Sequence, residues 1–255
     1  LARNLGAGFR IAAGKRYRCT GLDLSRQANR GYLDEVAGDG VGGWTDQGDN
    51  DMRYFLVNHA GRPEGGMEVA VQSFPQEVLF DGIPYRLTDP KANGGKAVVT
   101  LRGGEHDPQA PAEARGIPAG GLRADRLWFL HAATWCPAGE AEAMARYEVV
   151  YVDGSRAVVP VRPGHGISDW WFPRMLPGAG IAWSGRNAKN GAIAVYSMPW
   201  DNPAPDKAIV TIDVIGNLGS AQLVLLGITF VSLVADGRGI PEATLRNMVN
   251  PMPVA

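Results

Sequence analysis

Short apolar runs, each closed by a turn signal, recur along the whole chain. Residues 67–72, 77–80, 84–87 and 96–101 read as strands, separated by Phe74-Pro75, Asp81-Gly82 and Asn93-Gly94-Gly95. Residues 126–134 form another. They follow a Gly/Pro/Ala-rich stretch, 103–121, whose lack of apolar periodicity predicts a solvent-facing loop. The clearest hairpin spans 146–161: Tyr147, Val149 and Tyr151 alternate with Glu148, Val150 and Val152. Asp153-Gly154 offers the positive φ of a tight two-residue turn, and Ala157, Val158, Val159 and Val161 return. Residues 194–198, 208–215 and 222–233 add three more strands. The last belongs to the most apolar stretch, 221–234, which predicts a buried strand pair or one long strand.

Helical patterning is sparse. Residues 139–145 are rich in Ala and Glu but run straight into a strand. Residues 241–248, with Pro241 near a first turn, predict one short C-terminal helix. About ten strands with hairpin-type turns and no strand–helix alternation predict an all-β fold, an antiparallel β-sandwich of the jelly-roll kind. No break in composition divides the chain. The expected organisation is one sandwich domain over 21–237 between flanks at 1–20 and 238–255. A chain of 255 residues can bury a large core without staples.

Composition narrows the function classes. Gly (34) and Pro (18) are abundant, in keeping with many turns. A formal net charge of −1 leaves no basic excess to neutralise phosphates, so nucleic acid is not an expected partner. No run of 18 apolar residues is present, so no membrane span is expected. Residues 1–19 lack the basic, apolar and cleavage order of a signal peptide. Cys19 and Cys136 allow one bridge or two thiols, and their sequence separation does not decide between them.

Catalytic signatures are missing from the sequence. It has no G-x-S-x-G elbow, and the cysteines lack protease flanks. The four histidines form no H-x-H or H-E-x-x-H pair, and His131, within an apolar run, reads as a core histidine. The glycines at 38, 40, 42 and 43 lack the Lys-Ser/Thr of a phosphate loop and have acidic neighbours.

The most unusual segment is 29–51, where Asp34, Glu35, Asp39, Asp46, Asp49 and Asp51 stand among glycines. Clustered carboxylates repel unless solvated, paired or bound to a cation. Ca2+ takes such oxygen ligands, and Asp39, Asp46, Asp49 and Asp51 are the candidate set, although their spacing is not that of an EF-hand. The alternative is a solvated loop whose Asx side chains satisfy backbone N–H groups.

Seven tryptophans are the second feature. Trp44 lies in the acidic loop, Trp170-Trp171 precede Phe172-Pro173, and Trp183 and Trp200 lie near loops, the latter beside Asp201-Asn202-Pro203. Trp128 and Trp135 lie in or just after a strand. An indole at a loop end can stack on a sugar ring while nearby polar groups bond its hydroxyls. Trp44, Trp170, Trp171, Trp183, Trp200 and Asn202 are the ligand-binding candidates, against the alternative that they plug the core. Trp170 and Trp171, if extended, point to opposite faces, so only one of them is expected at the surface.

Several motifs also carry a family resemblance. Asp23-Leu24-Ser25, Ala28-Asn29-Arg30-Gly31 and Gly43-Trp44-Thr45-Asp46-Gln47-Gly48 resemble the start of a jelly-roll domain of large secreted bacterial proteins that act on polysaccharides. Gly82-Ile83-Pro84-Tyr85, Tyr151-Val152-Asp153-Gly154, Asp169-Trp170-Trp171 and Trp200-Asp201-Asn202-Pro203 continue the likeness over roughly residues 20–235. Residues 58–73 depart from it as an extra insertion. The resemblance implies a carbohydrate-binding-module-like domain, located outside the cell or on its surface, with a polysaccharide or oligosaccharide as partner and other domains fused or associated. With the Trp-rich loops and the missing catalytic signatures, it leads to the expectation of a non-catalytic carbohydrate-binding or accessory module; the alternatives are a glycoside hydrolase or lyase with paired carboxylates, for example from Asp46, Asp51, Asp169 and Asp201, and an assembly module of a surface structure or filament.

Overall fold

The computed structural model describes residues 16–55, 77–80, 82–104, 106–139, 141–234 and 240–241. Among them run thirteen strands: β1 (Arg16–Gly21), β2 (Glu77–Phe80), β3 (Ile83–Arg86), β4 (Val99–Thr100), β5 (Glu113–Leu122), β6 (Arg126–Thr134), β7 (Ala145–Tyr151), β8 (Arg156–Val161), β9 (Gly180–Gly185), β10 (Ile193–Asp201), β11 (Ile209–Gly216), β12 (Gln222–Val234) and β13 (Ile240–Pro241). No α-helix occurs among the described residues. The expected strand at 67–72 and insertion at 58–73 lie outside them, as do residues 242–248 of the expected helix; Pro241 itself is in β13.

The strands form an antiparallel β-sandwich. The larger sheet has the order β13-β1-β12-β6-β10-β9, with β4 also paired to β12; the smaller has the order β5-β11-β7-β8, and β2 and β3 make a separate hairpin. Strand period and burial agree on β7, whose Tyr147, Val149 and Tyr151 point inward while the residues between them are half-exposed. Those side chains meet Phe129 of β6, Tyr196 and Met198 of β10 and Leu225 and Ile228 of β12 in a core between the sheets. Phe129 and Tyr147 stack there with ring centroids 4.0 Å apart.

The larger sheet is also covered on its other face. Trp128, Leu130, Val195, Val224 and Leu226 pack there against Tyr32, Trp44, Phe55, Phe80, Ile83, Tyr85 and Trp170, which come from loops and the β2-β3 hairpin. Burial on both faces explains why β6 is buried at all nine positions and why residues 221–234 are the most apolar stretch of the chain. That stretch is one long strand, β12. The outer face of the smaller sheet is charged instead: Asp213 of β11 pairs with Arg115 of β5 (3.2 Å) and Arg156 of β8 (3.1 Å), and Arg156 continues to Glu148 of β7 (2.9 Å).

Three expectations change. Residues 113–122, expected within a loop, form β5; it is an edge strand with register shifts against β11, where Pro118 and the positive-φ glycines 116, 120 and 121 are tolerated. The β7–β8 turn is longer than two residues, spanning Val152–Ser155. Gly154 alone has positive φ (+80°), and Asp153 accepts the Ser155 N–H instead. Residues 16–20, assigned to a flank, pair with β12 in the central sheet. Cys19 and Cys136 are free thiols, packed against the outer and inter-sheet cores respectively, on opposite faces of the larger sheet.

Candidate functional site

At one end of the sandwich, β6 stops because Trp135 turns to φ +52°. This is a left-handed conformation that costs a bulky residue on the order of 1–3 kcal/mol. One carboxylate organises the chain beyond that turn. Asp169 accepts the backbone N–H of Cys136 (2.9 Å), of Trp171 (2.8 Å) and of Trp135, tying the segment after β6 to the segment 168–171 that runs parallel to it. Burial pushes the Asp169 carboxyl above the usual carboxylate range, with the N–H groups and the Arg174 charge pulling it back. Beyond this anchor Trp171 is half-buried, and Phe172 and Met175 are 65% and 63% exposed. Asn190 Nδ2 donates to the Trp171 carbonyl at 2.7 Å, which brings the β9–β10 loop alongside.

Indoles link this rim to the acidic loop. Trp171 meets Trp170 edge-on (5.2 Å), Trp170 meets Trp44 (5.3 Å), and Lys189 reaches Asp49 at 3.0 Å. In the loop, Asp34, Asp39 and Asp46 bring carboxylate oxygens within 4.8 Å of one another. The chain can fold this tightly because Gly42 has φ +79°, and a Cβ there would stand 2.9 Å from Asp34 Oδ1. Backbone N–H groups point at the cluster: Gly38 and Gly40 donate to Asp46 at 3.0 Å, Gly48 to Asp34 at 2.7 Å and Val41 to Asp39 at 2.9 Å. Burial, then the charges of Asp46 and Asp39, raise the Asp34 carboxyl despite those bonds. Three carboxylates this close offer three oxygen ligands to a metal ion, although the neighbouring backbone presents N–H groups to the same oxygens. Asp34 is only 1% exposed and offers no route for a substrate, whereas Asp39 is exposed and Asp46 half-buried.

The structure redistributes the sequence candidates. Asp39 and Asp46 belong to the cluster. Asp49 does not: it pairs with Lys189. Asp51 does not either, since it is held by Arg53 at 3.0 Å and accepts the Asp34 N–H. Trp44, Trp170 and Trp183 are core residues, 1%, 3% and 2% exposed, with no face left for a ligand; the outer layer over the larger sheet has sealed them. Trp171 is half-buried, but not for the expected reason: it lies in a bend, its ring meets that of Trp170, and both pack on the outer core and do not point to opposite faces. Trp200 is half-buried at the other end of β10, roughly 20 Å along the strand from Ala194, which bonds Trp170. Asn202, also at that end, is buried and spends its amide on the Ala124 carbonyl (2.8 Å) and the Tyr151 hydroxyl (2.5 Å), so it fastens two turns instead of meeting a ligand. Asp201 is there too, paired with Arg126. The four carboxylates considered for glycosidic cleavage therefore have four different settings: Asp46 in the cluster, Asp51 on Arg53, Asp169 under the rim and Asp201 on Arg126.

Sequence reasoning did not select Asp34, Trp135, Phe172 or Met175. Asp34 could have been found from its place among the acidic residues, and Trp135 from its position just past a strand that is mostly apolar between Arg126 and Thr134. Nothing in the sequence announces the exposure of Met175. No family model matches the chain, and no curated protein matches its sequence.

Proposed function

We propose that the chain is a non-catalytic carbohydrate-binding or accessory module of an extracellular protein, with sugar rings stacking on the rim of Trp171, Phe172 and Trp135. The observation that carries this reading is Phe172 and Met175 left in water beside a half-buried indole, on a segment pinned by the buried Asp169. A rigid aromatic edge suits the C–H face of a pyranose, and binding sites need such an apolar body with a few polar groups beside it. Lys189, with an exposed side chain that keeps donors beyond the one to Asp49, stands alongside for hydroxyl contacts. The likeness to jelly-roll domains of polysaccharide-active proteins points the same way. Calcium is a structural ion in this reading, seated on Asp34, Asp39 and Asp46 and bracing the loop behind the rim. No helix among the described residues is long and apolar enough to cross a membrane.

Isothermal titration against plant and microbial oligosaccharides tests the proposal. Trp171→Ala is expected to weaken binding about tenfold or more. Trp200→Ala, at the opposite end, is expected to leave it unchanged. Absence of heat with every glycan, or equal loss from both substitutions, would overturn it.

A further inference from the structure

The strained Trp135 has a ring laid against it. His106, exposed on the loop before β5, stacks on the indole with centroids 4.1 Å apart and planes 10° from parallel. Both partners are held by independent anchors. Trp135 and Cys136 hang from Asp169. The residue after His106, Asp107, is locked in a buried ion pair with Arg30: Arg30 Nη2 donates to both carboxylate oxygens at 2.8 Å and Nε to one at 3.2 Å, while Ala110 N–H caps the same carboxylate at 3.1 Å. The stack is therefore set up by the fold on both sides. A ring inserted between two plates needs about 7 Å between them, twice a van der Waals contact. At 4.1 Å, nothing fits between His106 and Trp135.

We infer that His106 is a built-in cap, occupying in the free protein the indole face of Trp135 that a pyranose ring takes when bound. This rests on the carbohydrate reading of the rim. An apolar indole face held out at a strand end by strained backbone would otherwise stand in water, and the imidazole shields it. A single exposed aromatic stack is weak enough for a ligand to displace. It nevertheless lowers affinity, and it favours ligands whose rings stack better than imidazole does. His106 is a specificity-determining residue in this scheme, and Trp135 is a binding residue.

The test uses β-1,4-linked glucose, xylose and mannose hexasaccharides with the full chain. His106→Ala is expected to tighten binding about threefold or more, and Trp135→Ala to weaken it at least tenfold. In the wild-type protein the His106 ring protons, shifted by the indole ring current, are expected to move toward their unstacked positions at saturation. This last measurement does not depend on any variant folding. Wild-type binding with His106→Ala unchanged or weaker, or with the His106 shift retained at saturation, would overturn the cap and leave the rim reading standing. Absence of binding by both wild type and His106→Ala would remove the rim reading and the cap together.

Discussion

His131 shows how much a single buried group can dictate. It lies in the middle of β6, with Nδ1 2.8 Å from the Tyr147 hydroxyl and Nε2 3.0 Å from the Gly166 carbonyl. A carbonyl only accepts, so Nε2 carries the proton and Nδ1 accepts from Tyr147. Burial drops its pKa from 6.5 to about 4. The unfolded chain therefore takes up this proton before the folded one does. The contribution of neutral His131 is whole above pH 6.5, shrinks as pH falls toward 4, and reaches on the order of 3 kcal/mol lost. Asp34 and Asp169, both raised, act in the opposite sense, so the informative quantity is a difference. Urea melts between pH 7 and 4 are expected to show a shallower decline for His131→Gln than for wild type; parallel curves would refute the assignment. That His131 belongs to the core was legible from its apolar flanks. The fate of individual tryptophans was not, because an indole beside a loop looks the same in sequence whether or not another layer covers it. Trp44 and Trp171 differ only in what packs over them.

Elements with strong internal patterns were readable, and those defined by their neighbours were not. β6, the β7–β8 pair and β12 stand out because alternation or continuous apolarity follows directly from one or two buried faces. β5 was hidden: at a bulged sheet edge, glycine and proline carry no penalty, so its composition matches a loop. β1 was hidden because RYRCTG has little pattern of its own and takes its place from pairing with β12. The acidic loop is legible as a cluster but not as a specific set, since which carboxylates converge depends on turns at Gly38, Gly40 and Gly42. With calcium at a hundredfold excess over Kd, the melting temperature is expected to rise by roughly 5–10 °C. Asp46→Asn, which keeps the left-handed backbone available, is expected to abolish the rise. A melting temperature indifferent to calcium in the wild type would leave the loop held by its hydrogen bonds alone.

For the whole molecule, the decisive fact is that two cores share one sheet. Leu225 faces the inter-sheet core and Leu226 the outer one. Leu225→Ala and Leu226→Ala are each expected to cost about 2–5 kcal/mol. Both should lower a single denaturation midpoint, followed equally by tryptophan fluorescence and far-UV circular dichroism. A separate early transition seen only by tryptophan fluorescence in Leu226→Ala would mean that the outer layer unfolds alone. The same sheet also fixes how the molecule bears load. Arg16 and Val234 face each other across the β1–β12 pair, about 40 Å along β12 from the end that carries Trp135. Tension applied at those two points would run across the ladder, opening its bonds in succession like a zip instead of shearing them all at once. The seam would yield first there, while the aromatic end, at the far side of the lever, would be the last to feel the pull.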